Sequence, residues 1–477
     1  MYDVAIIGCG ICGSSIAYYL TKYRIDVAIL EKNNDVCMGA TRANSAIIHA
    51  GYDPEPGSLC AKYNVRGNEL AGEICKKLDV AYKNIGSLVV AFTEKELETI
   101  GKLFDRGIKN GVPDMQILNR EELRQLEPMI ANEALGALYA PTAAIVNPWE
   151  FGLAMAETAV RNGADLMLNS EVKDIKKGDD CWIIETNNGT VEAKYVINAA
   201  GVYSDDIHNM VAEPTFKITP VAGEYYLLDK VEGARANHVV FQCPNELGKG
   251  VLVSPTVHGN LIVGPNAIDS DKEDTTTKTS SLDFIRETAA KSIPSINYRE
   301  NIRNFTGVRP NADTGDFVIG FAAERFIDVA GFKSPGLSAA PAVAEDMVNI
   351  LKNDGLEMTE KANPVDEREH IRFKDLSPED KNRLVEENPT YGRVVCRCET
   401  ITEGEIRAAL KSPITPVSLD GIKRRCGTGM GRCQGGFCGP KVLEIISKTK
   451  KIPFEDVLQD ANGSYILTGE TKSKKEV

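Results

Sequence analysis

Tyr2-Asp-Val-Ala-Ile-Ile-Gly8-Cys-Gly10-Ile-Cys-Gly13-Ser14-Ser opens the 477-residue chain and decides its first fold unit. An apolar β run over residues 2–7 enters a glycine-rich turn, and the pattern predicts a helix from Ser14 to Tyr23. A second β run, Val27 to Leu30, ends in Glu31. This is a β-α-β unit, the start of a doubly wound α/β sheet. Gly8 permits the tight turn, Gly10 lets backbone approach a pyrophosphate, and Gly13 allows close packing of strand and helix. The phosphates are expected at the helix N-terminus, where backbone N–H groups point outward. Glu31 lies 18 residues past Gly13, where a carboxylate can accept from ribose hydroxyls. The unit reads as a dinucleotide site.

A chain of this length, 43% hydrophobic and 26% charged, exceeds one core and predicts two or three domains. Its net charge of −13 excludes nucleic acid as a general partner, because phosphate binding needs a basic face. Lys423, Arg424, Arg425 and Arg432 are expected to form a local basic patch among the C-terminal cysteines. No apolar run approaches the roughly 18 residues a membrane span needs, so at most peripheral membrane contact is expected. The N-terminus shows no basic leader or cleavage site, and a cytoplasmic location is expected. In that setting the twelve cysteines read as thiols or metal ligands.

Further along, residues 94–110 and 120–127 read as charged helices. Residues 147–163 read as a helix with Asn147 as cap, Pro148 at its first position and Gly163 as terminator. Strands are expected near 181–186 and 191–198, and 221–265 is strand-rich, as an antiparallel sheet would be. Residues 326–330 read as a buried strand leading through Gly331-Phe-Lys-Ser-Pro-Gly to a helix ending near Lys352. Residues 353–392 are charged and Pro-punctuated, and are expected as a linker. The final seven residues, TKSKKEV, are expected to be a disordered tail.

Two segments favour FAD over NAD. In Gly39-Ala-Thr-Arg-Ala-Asn-Ser-Ala-Ile-Ile-His-Ala-Gly51, small and hydrogen-bonding residues alternate, as a loop wrapping an extended ligand requires. The late Gly331–Ala340 turn offers a second helix N-terminus that could face an electron-rich flavin. With the segments 43–68, 250–265, 306–320 and 331–342, residues 1–352 resemble the D-amino-acid-oxidase-type flavoproteins. Within them the chain is similar to the soluble glycerol-3-phosphate oxidases and dehydrogenases.

The resemblance implies a Rossmann-like FAD-binding domain from about 1–75, 145–220 and 306–352. It also implies an α+β substrate domain on an antiparallel sheet, from about 76–144 and 221–305. FAD contacts are expected from Gly8, Gly10, Gly13, Glu31, Thr41, Asn44, Ser45, Gly331, Ser334, Gly336 and Leu337. Oxidising a secondary alcohol moves a hydride to the flavin while the hydroxyl loses its proton, so a base is needed. Of the five histidines, only His49 lies in the wrapping loop. Arg309, in Gly-Val-Arg-Pro, is expected to hold the anion of a small hydroxy substrate, and Lys333 to contact substrate or flavin. Asp316 reads as a loop carboxylate.

Cys396-Arg-Cys398 is followed after 34 residues by Cys433-Gln-Gly-Gly-Phe-Cys438. Four thiols on two tight, glycine-flanked loops suit an iron–sulfur cluster, whose sulfides accept backbone N–H bonds, and also tetrahedral zinc. Residues 393–470 resemble the bacterioferritin-associated-ferredoxin-like [2Fe-2S] domain, a small helical module, which favours the cluster. Cys426 departs from that family's pattern. The expected reaction is oxidation of sn-glycerol 3-phosphate to dihydroxyacetone phosphate. Electrons would pass from FAD through the cluster to an acceptor protein or a second flavoprotein subunit. An oxidase reacting with O₂ would not need the one-electron module. A 2-hydroxyglutarate or other hydroxy-acid dehydrogenase is the alternative, as is an electron-transfer subunit without substrate chemistry.

Overall fold

A computed structural model describes residues 1–244 and 250–472. Residues 473–477 of the expected tail and 245–249 of the strand-rich stretch lie outside them. The chain divides into two compact units: residues 1–30 with 37–368, and residues 31–36 with 369–477.

The first unit begins with β1 (Tyr2–Ile7), α1 (Ile11–Leu20) and β2 (Val27–Leu30). The helix starts three residues before the expected Ser14 and ends before Tyr23, because Gly10 is its cap and Gly13 lies inside it. At the other end the Thr21 hydroxyl donates to Ala17 O at 2.8 Å. β1 pairs in parallel with β2 and, on its other edge, with the strand Gly189–Asn198. That strand is shared: its first half meets Trp182–Thr186 antiparallel and its last three residues meet Phe326–Ala330 in parallel. The apolar runs of β1, β2 and Phe326–Ala330 are buried on both faces, as a covered parallel sheet requires.

Among the described residues a second sheet has nine strands. Its pairs are antiparallel except where Val239–Gln242 runs parallel to Ser87–Ala91. The longest joint sets Ile218–Leu228 against Asn301–Ala312, with Val221 opposite Arg309. The expected domain boundary at residue 306 therefore falls inside a strand of this sheet. Helix caps follow the sequence: Thr93 and Glu96 form a capping box, and Asn147 Oδ1 accepts from Glu150 N at 3.3 Å.

The stretch 353–392, expected as a linker, is structured. Val365 N donates to Asn162 Oδ1 at 2.8 Å, and Asp366 pairs with Lys22 at 2.7 Å and hydrogen-bonds Tyr18. From residue 369 the chain belongs to the second unit, where Ser377 caps the helix Pro378–Glu387. This unit is small and helical, with helices Glu403–Ala409, Leu419–Cys426 and Gly439–Lys450. They close over a core that includes Ile401, Ile406, Ile422, Val442 and Ile446.

Two of the four expected basic-patch residues are interior. Arg424 is 8% exposed and Arg425 4%. Both pair with Asp35, Arg425 at 2.9 Å through two nitrogens, and Arg424 also reaches Asp460 at 2.7 Å. A guanidinium beside a buried carboxylate satisfies both, so the charge run builds an interior network rather than a surface.

Candidate active site and cysteine centre

The glycines of the first turn are fixed by close approach. Gly8 has φ +97°, and a Cβ on it would lie 2.6 Å from Ala199 O. A Cβ on Gly13 would lie 1.9 Å from Gly8 O. Side chains are thus excluded where the first strand meets the first helix. Thr41 crosses this turn, accepting from Ile11 N at 2.9 Å. Asn44 shapes the rest of the loop, donating to Ala40 O and Thr41 O and accepting from Ala46 N at 2.7 Å. That last bond supports Ala46 at φ +61°, a conformation a non-glycine residue rarely adopts. Glu31, which follows β2 directly, is buried, and its Oε1 accepts from Asn33 N and Nδ2.

His49 is held on three sides. Its N–H donates to Ser338 Oγ at 2.7 Å, and its carbonyl accepts from Asn64 and Asn68 on α2 (Leu59–Lys77). Its ring stacks on Phe241, with centroids 5.8 Å apart, and Nε2 lies 3.0 Å from Ser334 Oγ. His49, Tyr52, Asp53, Phe241 and Gln242 line a shallow cavity, and a second one lies among His49, Asn64 and Pro335. Ser334 and Ser338 belong to the late turn and the helix Gly336–Asn353. In this turn Gly331 takes φ +75°, Lys333 N donates to Gly331 O, and Gly336 N donates to Lys333 O. Leu337 is the second residue of the helix. The close crossing of α2 with this helix depends on Gly67, whose Cβ would lie 1.9 Å from Ser338 O.

Arg309 lies on the strand Asn301–Ala312. Two residues before it, a Cβ on Gly307 would lie 1.8 Å from Ala43 O, so this strand abuts the wrapping loop. One Arg309 Nη donates to Asn266 O at 2.6 Å, while its buried Nε has no partner. A buried guanidinium nitrogen without an acceptor is costly, and an anion would satisfy it. Tyr225 links the pieces: its hydroxyl is 3.1 Å from Ser45 Oγ, its ring stacks on Phe305, and burial raises its pKa against the lowering effect of Arg309.

The sequence reading missed Tyr225, Asn64, Asn68 and Ser338. Only the aromatic pair in Gly-Glu-Tyr-Tyr offered any signal, and nothing marked which tyrosine turns inward. Asp316 is a helix cap: its carboxylate accepts from Leu59 N, Cys60 N and Phe317 N. Burial opposes its charge, but those N–H bonds outweigh it and hold the carboxyl below its ordinary range. His208, His238 and His258 are engaged with Asp328, Glu127 and Asn147.

In the second unit the four thiols stand as two pairs. Cys398 and Cys433 have sulfurs 3.8 Å apart. Cys396 and Cys438 share a hydrogen bond that holds the Cys396 thiol low, at about 6, and pushes that of Cys438 up. Among the described residues no three His, Cys, Asp or Glu side chains converge on one point that could hold a single ion. Two thiol pairs on adjoining loops suit a two-iron cluster, in which each iron takes two thiolates. Gly429 and Gly435, at φ +82° and +90°, turn the loop between them. Cys426 faces elsewhere, with Sγ 3.0 Å from Thr428 Oγ1, and burial pushes its thiol up to about 12.

The chain belongs to the FAD dependent oxidoreductase family, which it matches over residues 3–350, and residues 394–448 match the BFD-like [2Fe-2S] binding domain. It is an FAD-dependent oxidoreductase whose cofactors are FAD and a [2Fe-2S] cluster. Over 478 residues it is 48% identical to the glycerol 3-phosphate dehydrogenase of Caloramator mitchellensis, covering 99% of this chain and 100% of that one. The dithionite-reduced L-alpha-glycerophosphate oxidase of Mycoplasma pneumoniae, with FAD bound, superposes with a TM-score of 0.73 at 34% identity. That match covers 77% of this chain and 98% of the other. The L-2-hydroxyglutarate dehydrogenase of Escherichia coli K12 is 34% identical over 274 residues, 56% of this chain and 64% of that one.

Proposed function

We propose that the protein is a dehydrogenase that oxidises sn-glycerol 3-phosphate to dihydroxyacetone phosphate and delivers the electrons to a partner protein. FAD supplies hydride acceptance and the [2Fe-2S] cluster supplies one-electron carriage. Gly8, Gly10, Gly13, Thr41, Asn44, Ser45, Gly331, Ser334, Gly336 and Leu337 would line the flavin nucleotide. The ribose role of Glu31 rests on its place directly after β2. Cys396, Cys398, Cys433 and Cys438 would hold the cluster.

His49 takes the hydroxyl proton at Nε2, where the substrate hydroxyl takes the place of the Ser334 hydroxyl that lies 3.0 Å away. Arg309 holds the phosphate with its unpartnered Nε, the observation that carries this reading. Tyr225 lies near Arg309 and hydrogen-bonds Ser45 of the wrapping loop. Lys333, in the turn that carries Ser334, adds positive charge on the substrate side. The similarity to a glycerol 3-phosphate dehydrogenase runs through the cysteine unit as well, which favours a relay over direct reaction with O₂. None of the cysteines forms a disulfide among the described residues. Those residues also hold no helix long and apolar enough to cross a membrane. A cytoplasmic setting is part of this reading.

The test is anaerobic flavin bleaching on mixing with glycerol 3-phosphate, beside L-2-hydroxyglutarate and amino acids. Fast bleaching by glycerol 3-phosphate alone is the expected result. Bleaching by L-2-hydroxyglutarate instead would move the assignment to hydroxy acids. No bleaching by any of them would leave an electron-transfer subunit.

A further inference from the structure

Phe437 is 88% exposed, although it lies between Cys433 and Cys438. It is not at the end of a loose loop. Gln434 Nε2 donates to Met430 O and Gly431 O, Gly436 N donates to Cys433 O at 3.0 Å, and Gly439 N donates to Gly435 O at 2.7 Å. The braced loop holds the ring out into water, where a large apolar side chain gains nothing unless something covers it.

Cations outnumber acids around this ring. Arg397, Arg432 and Lys441 are all exposed. Residues 430–441 contain no Asp or Glu, in a chain whose net charge is −13. Glu399, beside Cys398, is buried at 7% exposure, and Glu444 is engaged with Lys441 and Lys448. The Cys398–Cys433 distance of 3.8 Å fixes the two loops together, so Arg397 and Arg432, each next to a thiol of that pair, flank one point. Cys398 is the exposed member of the four, whereas Cys396 and Cys438 are 1% and 3% exposed. The two joined loops of the cysteine centre therefore present Cys398, Phe437, Arg397 and Arg432 to solvent.

We propose that this face docks the electron acceptor, an acidic protein carrying a one-electron centre, with Phe437 as the apolar anchor and Arg397, Arg432 and Lys441 as the steering rim. The proposal rests on reading the four cysteines as a redox relay. Each docking reduces one acceptor molecule by one electron, so two acceptor molecules are reduced for each substrate oxidised. An anchor ringed by cations suits such a transient complex: the aromatic carries binding energy, and the rim sets the association rate and rejects basic proteins.

The experiment is calorimetric titration of the cluster-containing full-length protein, without substrate, using oxidised plant-type ferredoxin as the acidic probe and cytochrome c as the basic control. Ferredoxin should bind, more weakly as salt rises, and cytochrome c should not. Phe437→Ala should weaken binding about tenfold, and Arg397→Glu with Arg432→Glu should weaken it at least as much. Lys95→Glu with Lys102→Glu, on the helix Glu94–Asn110, should leave it unchanged. Phe437→Ala alters an exposed ring and should keep its iron and fold, so it decides the matter even if the arginine reversals lose the cluster. Wild-type affinity in Phe437→Ala overturns the proposal. So does self-association abolished by Phe437→Ala, which would make the occupant a second copy of this chain. Binding to phosphatidylglycerol vesicles in place of ferredoxin would overturn it in favour of a membrane surface. Iron and sulfide content tests the cluster itself, and flavin bleaching tests the substrate, so each reading fails separately.

Discussion

His49 Nε2 and Ser334 Oγ lie 3.0 Å apart although 285 residues separate them in the chain. The contact joins the loop that follows the first β-α-β unit to the turn before the last long helix of the first unit. A histidine gripped through its backbone N–H, its carbonyl and its ring face has little freedom left, which is what a base aimed at one hydroxyl requires.

Replacing His49 by Ala should leave FAD bound and slow flavin reduction by glycerol 3-phosphate about 100-fold or more, the usual scale for losing a general base. Stopped-flow absorbance under anaerobic conditions measures this. Near-normal reduction would remove His49 from the reaction.

Arg309→Lys keeps a positive charge and loses the planar fork. It should cost about 1.5–3 kcal/mol of transition-state binding, read from kcat/KM. Should Arg309→Ala leave kcat/KM unchanged, the anion is held elsewhere, and Lys333→Ala is the next variant.

Anaerobically purified protein should carry about two irons and two sulfides per chain, as a single [2Fe-2S] cluster requires. Serine at Cys396, Cys398, Cys433 or Cys438 should abolish both, and Cys426→Ser should not, since that thiol is turned to Thr428. Flavin reduction should persist in the four variants while transfer to one-electron acceptors falls. Zinc in place of iron would make the unit structural.

Asp35 gives the second unit an acid-sensitive joint. Burial opposes its charge, but Arg425 and then Arg424 outweigh that and hold the carboxyl below its ordinary range. A depressed carboxyl stabilises the fold fully above its unfolded pKa of about 3.9 and loses that contribution as pH falls towards the folded value. Asp35→Asn removes the carboxylate that two buried guanidiniums share, leaving Arg424 its pair with Asp460, and should cost about 3 kcal/mol or more near neutral pH. The difference between wild type and variant, followed by denaturant titration, should shrink below about pH 4. A gap that stays constant down to pH 3 would sink this account.

Much of the fold was legible because it depends on local pattern. β1, β2 and the strand Phe326–Ala330 appear where short apolar runs stand next to glycine turns, and the Asn147–Pro148 start is a cap written in two residues. Residues 353–392 misled because charge and proline describe composition, whereas Asp366 finds Tyr18 on α1 and Lys22 just past it, and Val365 bonds Asn162. The run Lys423-Arg-Arg misled likewise: its partner Asp35 is nearly 400 residues earlier, and no local pattern announces an ion pair of that span.

The sequence by itself determined the class of chemistry. Gly8 and Gly13 are positions that only backbone can fill, and the four spaced thiols left a choice between an iron–sulfur cluster and zinc that the family resemblance made. Tertiary structure alone decided which side chains meet. Tyr225 next to Ser45, Ser338 on the His49 amide, the unpartnered Nε of Arg309 and the outward ring of Phe437 all depend on which face of a strand or loop turns inward. That is settled by packing between segments hundreds of residues apart, where a side chain's neighbours come from other elements rather than from its own stretch of chain.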